Sequence, residues 1–145
     1  MTISMDYAFM VQRGWPNGCA LESNETIKAA TTLNAGDVVE MQADGTIDLC
    51  GAEAVGLTAS KLGYVVRGNG DSDSVAAAGD QAVVLWSNFI ARTQGVNITS
   101  VNVGDEVCAA AGILQTITTG APVALVLAVH AAVGAEPASL TIMVK

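Results

Sequence analysis

The chain is poor in aromatic residues, in charge, in cysteine and above all in basic residues, and each shortage removes a class of function. Trp, Tyr and Phe occur twice each and make up 4% of the 145 positions. A carbohydrate groove needs aromatic rings with a polar edge, and beyond the first 26 residues only Tyr64 and Trp86 offer one. The six basic residues, Arg13, Lys28, Lys61, Arg67, Arg92 and Lys145, are scattered singly. A phosphate-binding surface needs them clustered to displace counterions, so direct nucleic-acid binding is not expected. The formal net charge of −8 suits solubility and a partner with a positive face.

Catalytic groups are equally sparse. A serine or cysteine nucleophile needs a base, and the single histidine, His130, lies in an apolar stretch without a carboxylate near it in sequence. It reads as a strand-end or interface residue. No glycine pattern cradles a phosphate, because Gly68-Asn69-Gly70 lacks the third glycine and the helix that should follow. Asn69, Asp71, Asp73 and Asp80 echo calcium-loop spacing, but Ser74 stands where the loop needs glycine and an aspartate where it needs glutamate. No lysine occupies the context of a lipoyl or biotinyl carrier. The expectation is a protein without catalytic residues, cofactor or metal.

Cys19, Cys50 and Cys108 are odd in number, widely spaced and form no Cys-x-x-Cys pair. They read as reduced, buried thiols. The longest apolar run, 121–135, contains Pro122, His130 and Gly134, and it falls short of the roughly 18 residues of a spanning helix. No membrane partner is expected. The N-terminus lacks a basic region followed by an apolar core, so no secretory leader is expected either.

What the chain has in plenty is apolar residues, 51% against 14% charged. The charge falls well below the roughly 25% of an average domain. Charge this low leaves apolar surface to be covered by partners, so the composition predicts an obligate assembly.

The chain also repeats itself. Leu33-Asn34-Ala35-Gly36-Asp37-Val38-Val39 returns 68 positions on as Val101-Asn102-Val103-Gly104-Asp105-Glu106-Val107, with a looser echo at Ala78-Gly79-Asp80-Gln81-Ala82-Val83-Val84. Each phrase places a glycine, which tolerates positive φ, before an aspartate able to bond its own turn, and then β-formers. Both main copies continue through a second glycine turn, Asp44-Gly45 and Ala111-Gly112. Ala54-Val55-Gly56-Leu57-Thr58 is then the apparent counterpart of Ala124-Leu125-Val126-Leu127-Ala128. Similarity at a fixed spacing predicts two related β units.

Short strands are predicted at 27–32, 38–42, 46–49, 54–59, 63–67, 81–86, 89–93, 105–109, 114–118, 122–129 and 139–144. An alanine-rich helix over 124–133 is the alternative to one of them. The fold class is therefore all-β, a small barrel or sandwich over residues 27–145 with an extended N-terminal arm over residues 1–26. The arm holds Tyr7, Phe9, Trp15 and three of the five methionines. Alternation of Met1, Ile3, Met5, Tyr7 and Phe9 with smaller or polar residues suits a strand that augments a neighbour's sheet edge. The alternative is that the arm folds back on its own domain.

The phrase at 33–39, the Ala54-Val55-Gly56-Leu57 step, and 124–129 leading to Ala138-Ser139-Leu140-Thr141-Ile142-Met143-Val144 together resemble the small capsid decoration, or cement, proteins of tailed bacteriophages. The resemblance covers about residues 30–145, and the chain departs from shorter members in carrying the pattern twice. It implies a non-enzymatic virion protein on the outer capsid surface, made in the host cytoplasm. Its partner would be the major capsid protein, bound by a homotrimer at three-fold positions. On that reading Ile3, Tyr7, Phe9 and Trp15 anchor the capsid contact. A tail or baseplate β-domain is the alternative, followed by a carbohydrate-binding β-domain.

Overall fold

The computed structural model describes residues 9–14, 21–26, 32–51, 62–67, 74–75, 80–97 and 99–144, and no helix occurs among them. The first half contains β1 (Phe9–Gly14), β2 (Leu21–Thr26), β3 (Leu33–Asn34), β4 (Val38–Met41), β5 (Ile47–Leu49), β6 (Leu62–Arg67), β7 (Ser74–Val75) and β8 (Gln81–Ser87). The second contains β9 (Phe89–Thr93), β10 (Glu106–Ala110), β11 (Ile113–Thr116), β12 (Ala124–His130) and β13 (Ser139–Val144). They form a six-stranded sheet ordered β1-β9-β13-β12-β10-β11, a five-stranded sheet ordered β2-β8-β6-β4-β5, and the small pair β3-β7. All strand pairs are antiparallel, the arrangement of a small β-sandwich.

Strands β4 to β6 and β8 to β13 match the predicted segments to within a residue or two. The predicted strands at 27–32 and 54–59 fall outside the described residues but for Thr32. The helical alternative over 124–133 loses to β12, which pairs with β10 on one side and β13 on the other. Of the segment set apart as an arm, β1 pairs with β9 and β2 with β8, so its described part folds back into the domain's own sheets. Open edges on β9 and β8 supply the reason, since unpaired amides and carbonyls there would otherwise face solvent.

The repeated phrase makes the same turn twice. Gly36 has φ +92° and Gly104 φ +90°, the left-handed geometry required at the third position of a type II turn. The Asn34 amide donates to Asp37 Oδ2 at 2.7 Å, and the Asn102 amide to Asp105 Oδ2 at 2.8 Å. The turns then dock alike: Gly36 N donates to the Val65 carbonyl at 2.7 Å and Gly104 N to that of Val126 at 2.9 Å. Val65 N and Val126 N return bonds to Asp37 and Asp105, each at 2.9 Å.

Strand register extends this likeness over the whole sheet. Val38 pairs with Tyr64 and Tyr64 with Leu85; Glu106 pairs with Leu125 and Leu125 with Met143. A bulge interrupts β6 between Val65 and Arg67 and β12 between Val126 and Ala128, at the same point of the ladder. Glu22 lies opposite Leu85 as Ile90 lies opposite Met143, so β2 is the counterpart of β9. The chain therefore holds two copies of one five-stranded unit, β2-β8-β6-β4-β5 and β9-β13-β12-β10-β11. The structural counterpart of β12 is β6, which corrects the match to Ala54–Thr58 inferred from residue similarity. The looser third phrase runs into β8, the last strand of the first unit, and starts no third unit.

Each unit has its own interior at matching positions. Leu33, Val39, Ile47, Val65, Ala82 and Val84 fill the first; their register counterparts Val101, Val107, Leu114, Val126, Leu140 and Ile142 belong to the larger cluster. That cluster also contains Val38, Cys50, Tyr64 and Leu85 from the first unit together with Phe89 from the second. One continuous core therefore joins the units. Tyr64 and Phe89 meet edge to face across the junction, with ring centroids 5.3 Å apart. Cys50 and Cys108 are buried free thiols, and Cys19 lies outside the described residues.

Burial pushes the Asp37 carboxyl above its ordinary value, and the Asn34 amide pulls it back down. The folded state thus holds this proton more tightly than the unfolded chain, so the group's contribution declines as pH rises through and above the ordinary aspartate range. Asp37→Asn keeps an acceptor for Asn34 and removes the charge, so it is expected to leave stability at pH 7 equal or higher and to flatten that pH dependence. Asp37→Ala deletes the acceptor and is expected to cost about 1 kcal/mol. Urea unfolding of the three proteins at pH 4 and pH 7 checks both.

Candidate interaction surface

Of the four residues expected to anchor a partner, Ile3, Tyr7 and Trp15 lie outside the described residues, and Phe9 opens β1 opposite Thr93. β1 is the one described strand of the larger sheet with no counterpart in the five-stranded sheet. It ends the larger sheet, bonded to β9 on one side and to no second strand among the described residues.

The polar groups of the second unit gather at the end of the β12–β13 hairpin. Arg92 Nε donates to Ser139 Oγ at 2.8 Å, while Arg92 Nη2 pairs with Glu136 at 3.0 Å. Val133 and Glu136 exchange backbone bonds across the turn. His130, the last residue of β12, shares a 2.9 Å hydrogen bond between Nε2 and Thr141 Oγ1. Burial lowers its pKa, the Arg92 guanidinium lowers it further, and Glu136 offsets part of this. Ser139 is thus held by the guanidinium, and the imidazole by a threonine. The arrangement ties β9, β12 and β13 together and fixes the hairpin.

Asn69, Asp71 and Asp73 lie outside the described residues, and Asp80 is exposed just before β8. Among the described residues no three His, Cys, Asp or Glu side chains gather as a metal site, and no helix is long and apolar enough to cross a membrane. Tyr64 is 1% exposed and belongs to the junction of the units, so its ring is not presented to a glycan groove. Trp86 is half-buried against the first unit's interior and covers Gly63.

A cleft that the sequence did not point to lies on the second unit. It has a volume of about 310 Å³ and is lined by Glu106, Pro122, Val123, Ala124, Leu125 and Met143. Val103 and Leu127, 64% and 38% exposed, are two of the large hydrophobic side chains left open to solvent. Periodicity alone could not find this surface, because strand alternation assigns two faces without saying which one is covered. No protein-family model matches the chain, and no curated protein matches it either.

Proposed function

We propose that this is a structural virion protein that binds the outer capsid surface and stabilises the assembled head by bridging major capsid protein subunits. The observation that supports this reading is β1. The two-unit repeat accounts for every strand of the two large sheets except β1, which is added to one outer edge. An edge strand continuous with an apolar-alternating N-terminus is suited to β-augmentation of a partner's sheet. Ile3, Tyr7, Phe9 and Trp15 are the side chains such a contact would use.

The mechanism is linkage. A protein that binds the expanded lattice and not its dissociated subunits stabilises the lattice by mass action against internal DNA pressure. Many copies, each contributing modestly, resist together, and a trimer would reach three capsid neighbours at once.

The test is deletion of residues 1–8, which spares β1 and therefore the β9 edge. The truncated protein is expected to keep the wild-type circular dichroism spectrum and to lose at least about tenfold in affinity for capsids, measured by cosedimentation with separated heads and tails. Unchanged binding to heads would overturn the anchoring role of Ile3 and Tyr7, and binding to tails alone would overturn the capsid reading.

A further inference from the structure

The two units are alike in register but not in what covers them. In the first unit Val38, Tyr64 and Leu85 form a row across the ladder and are buried in the shared core. The matching row of the second unit is Glu106, Leu125 and Met143, which are exposed or half-buried and line the cleft of about 310 Å³. One face of one unit is thus sealed, and the same face of the other is open.

The open row also differs in chemistry, because a carboxylate stands where the sealed row has the Val38 side chain. Pro122, Val123 and Ala124 complete the cleft where the chain enters β12, and Val123 N donates to the Val107 carbonyl at 2.8 Å, which fixes that wall against β10. Glu106 is the one charged residue of the lining. Among the described residues no hydrogen bond or ion pair engages its carboxylate. Its neighbour Asp105, by contrast, accepts the Asn102 amide at 2.8 Å. The cleft therefore joins aliphatic walls to one free acceptor of negative charge.

Lysine and arginine side chains match that combination, since their hydrocarbon stems pack on apolar surface while the charged head reaches an acceptor. We infer that the cleft receives a lysine or arginine side chain from a partner protein, its stem against Val123, Leu125 and Met143 and its head on Glu106. Charge complementarity selects this occupant. A chain of net charge −8 attracts a positive partner, and Arg92, on the same sheet, is already held by Glu136 and Ser139. Val103 and Leu127, 64% and 38% exposed, extend the apolar surface beyond the cleft. A small amine would leave them uncovered, so the basic side chain belongs to an apolar segment of a protein. The contact requires neither the N-terminal residues nor a capsid.

Methyl-resolved NMR of the full-length protein tests the inference, with a capped leucine-lysine-serine peptide as the probe. The methyl signals of Val123, Leu125 and Met143 are expected to shift saturably, at the millimolar peptide concentrations that suit so small a ligand. Acetylating the peptide's lysine keeps the stem and removes the positive charge, and Glu106→Gln removes the negative one. Each change is expected to weaken binding by about threefold to tenfold, between the effect of an exposed ion pair and that of a charge-assisted hydrogen bond. Added salt should weaken the wild-type complex and leave that of Glu106→Gln nearly unchanged. Glu106 is exposed and glutamine has almost its shape, so the variant keeps the fold, which circular dichroism verifies. The acetylated peptide tests the charge on the wild type without any variant. No saturable shift in the wild type, or equal binding of the lysine and acetyl-lysine peptides, would overturn the inference. So would shifts of the same methyl signals that grow with protein concentration in the absence of peptide, which would assign the face to a second copy of the chain.

Discussion

Tyr64→Ala is expected to lower the free energy of unfolding by about 3–5 kcal/mol, the range for removing a buried aromatic ring. That is a large share of the roughly 5–15 kcal/mol that holds a typical domain folded. Tyr64 is 1% exposed, lies between Val38 and Leu85 in the ladder, and meets Phe89 edge to face. Its ring fills the junction, so the cavity would sit between the two units rather than inside either. Both units should therefore weaken together. Urea unfolding followed by far-ultraviolet circular dichroism and by tryptophan fluorescence should give one transition, shifted equally in both probes. The edge-to-face contact itself is worth about 0.5–1.5 kcal/mol, which a double-mutant cycle with Phe89→Leu measures. Two separate transitions in the wild type would show that the units fold independently and that the shared core does not couple them.

Tyr64 also shows where the sequence stopped being informative. Its type and its place in a strand were legible, and its face was not, because alternation along 62–67 offers two faces and only packing selects between them. The Gly-Asp turns were legible down to their hydrogen bonds, since Gly36 and Gly104 need positive φ and the following aspartate has one nearby amide to reach. The pairing of β6 with β12 as counterparts was not. Residue similarity favoured Ala54–Thr58, whereas the true correspondence is carried by backbone bonds from Gly36 to Val65 and from Gly104 to Val126, which leave little trace in side-chain identity. The open face of the second unit was visible only as a general excess of apolar residues. Locating it required knowing that Glu106 holds the position of Val38.

Gly95→Ala is expected to be as damaging as losing the Tyr64 ring, for the opposite reason. A Cβ at Gly95 would fall on the carbonyl oxygen of Gly36, closer than any real contact. Overpacking usually costs about 1–3 kcal/mol because a side chain rotates away, but here the obstacle is backbone. Gly36 is held by its bond to Val65 and by the Asn34–Asp37 turn, and the Gly95 carbonyl accepts the Leu114 amide at 2.9 Å. Neither side yields without breaking a turn or moving one unit off the other, so the cost should reach or exceed the top of that range. Two other glycines separate this effect from the loss of glycine as such. Gly51→Ala, exposed and with open space at its Cβ, should change stability by no more than about 0.5 kcal/mol. Gly45→Ala, equally open but at φ +84°, should cost the roughly 1–2 kcal/mol of a left-handed alanine. Thermal unfolding should therefore order the variants as Gly51→Ala, Gly45→Ala, Gly95→Ala, from most to least stable. A Gly95→Ala protein as stable as Gly51→Ala would mean that the units stand further apart at this point than the Gly36 carbonyl allows.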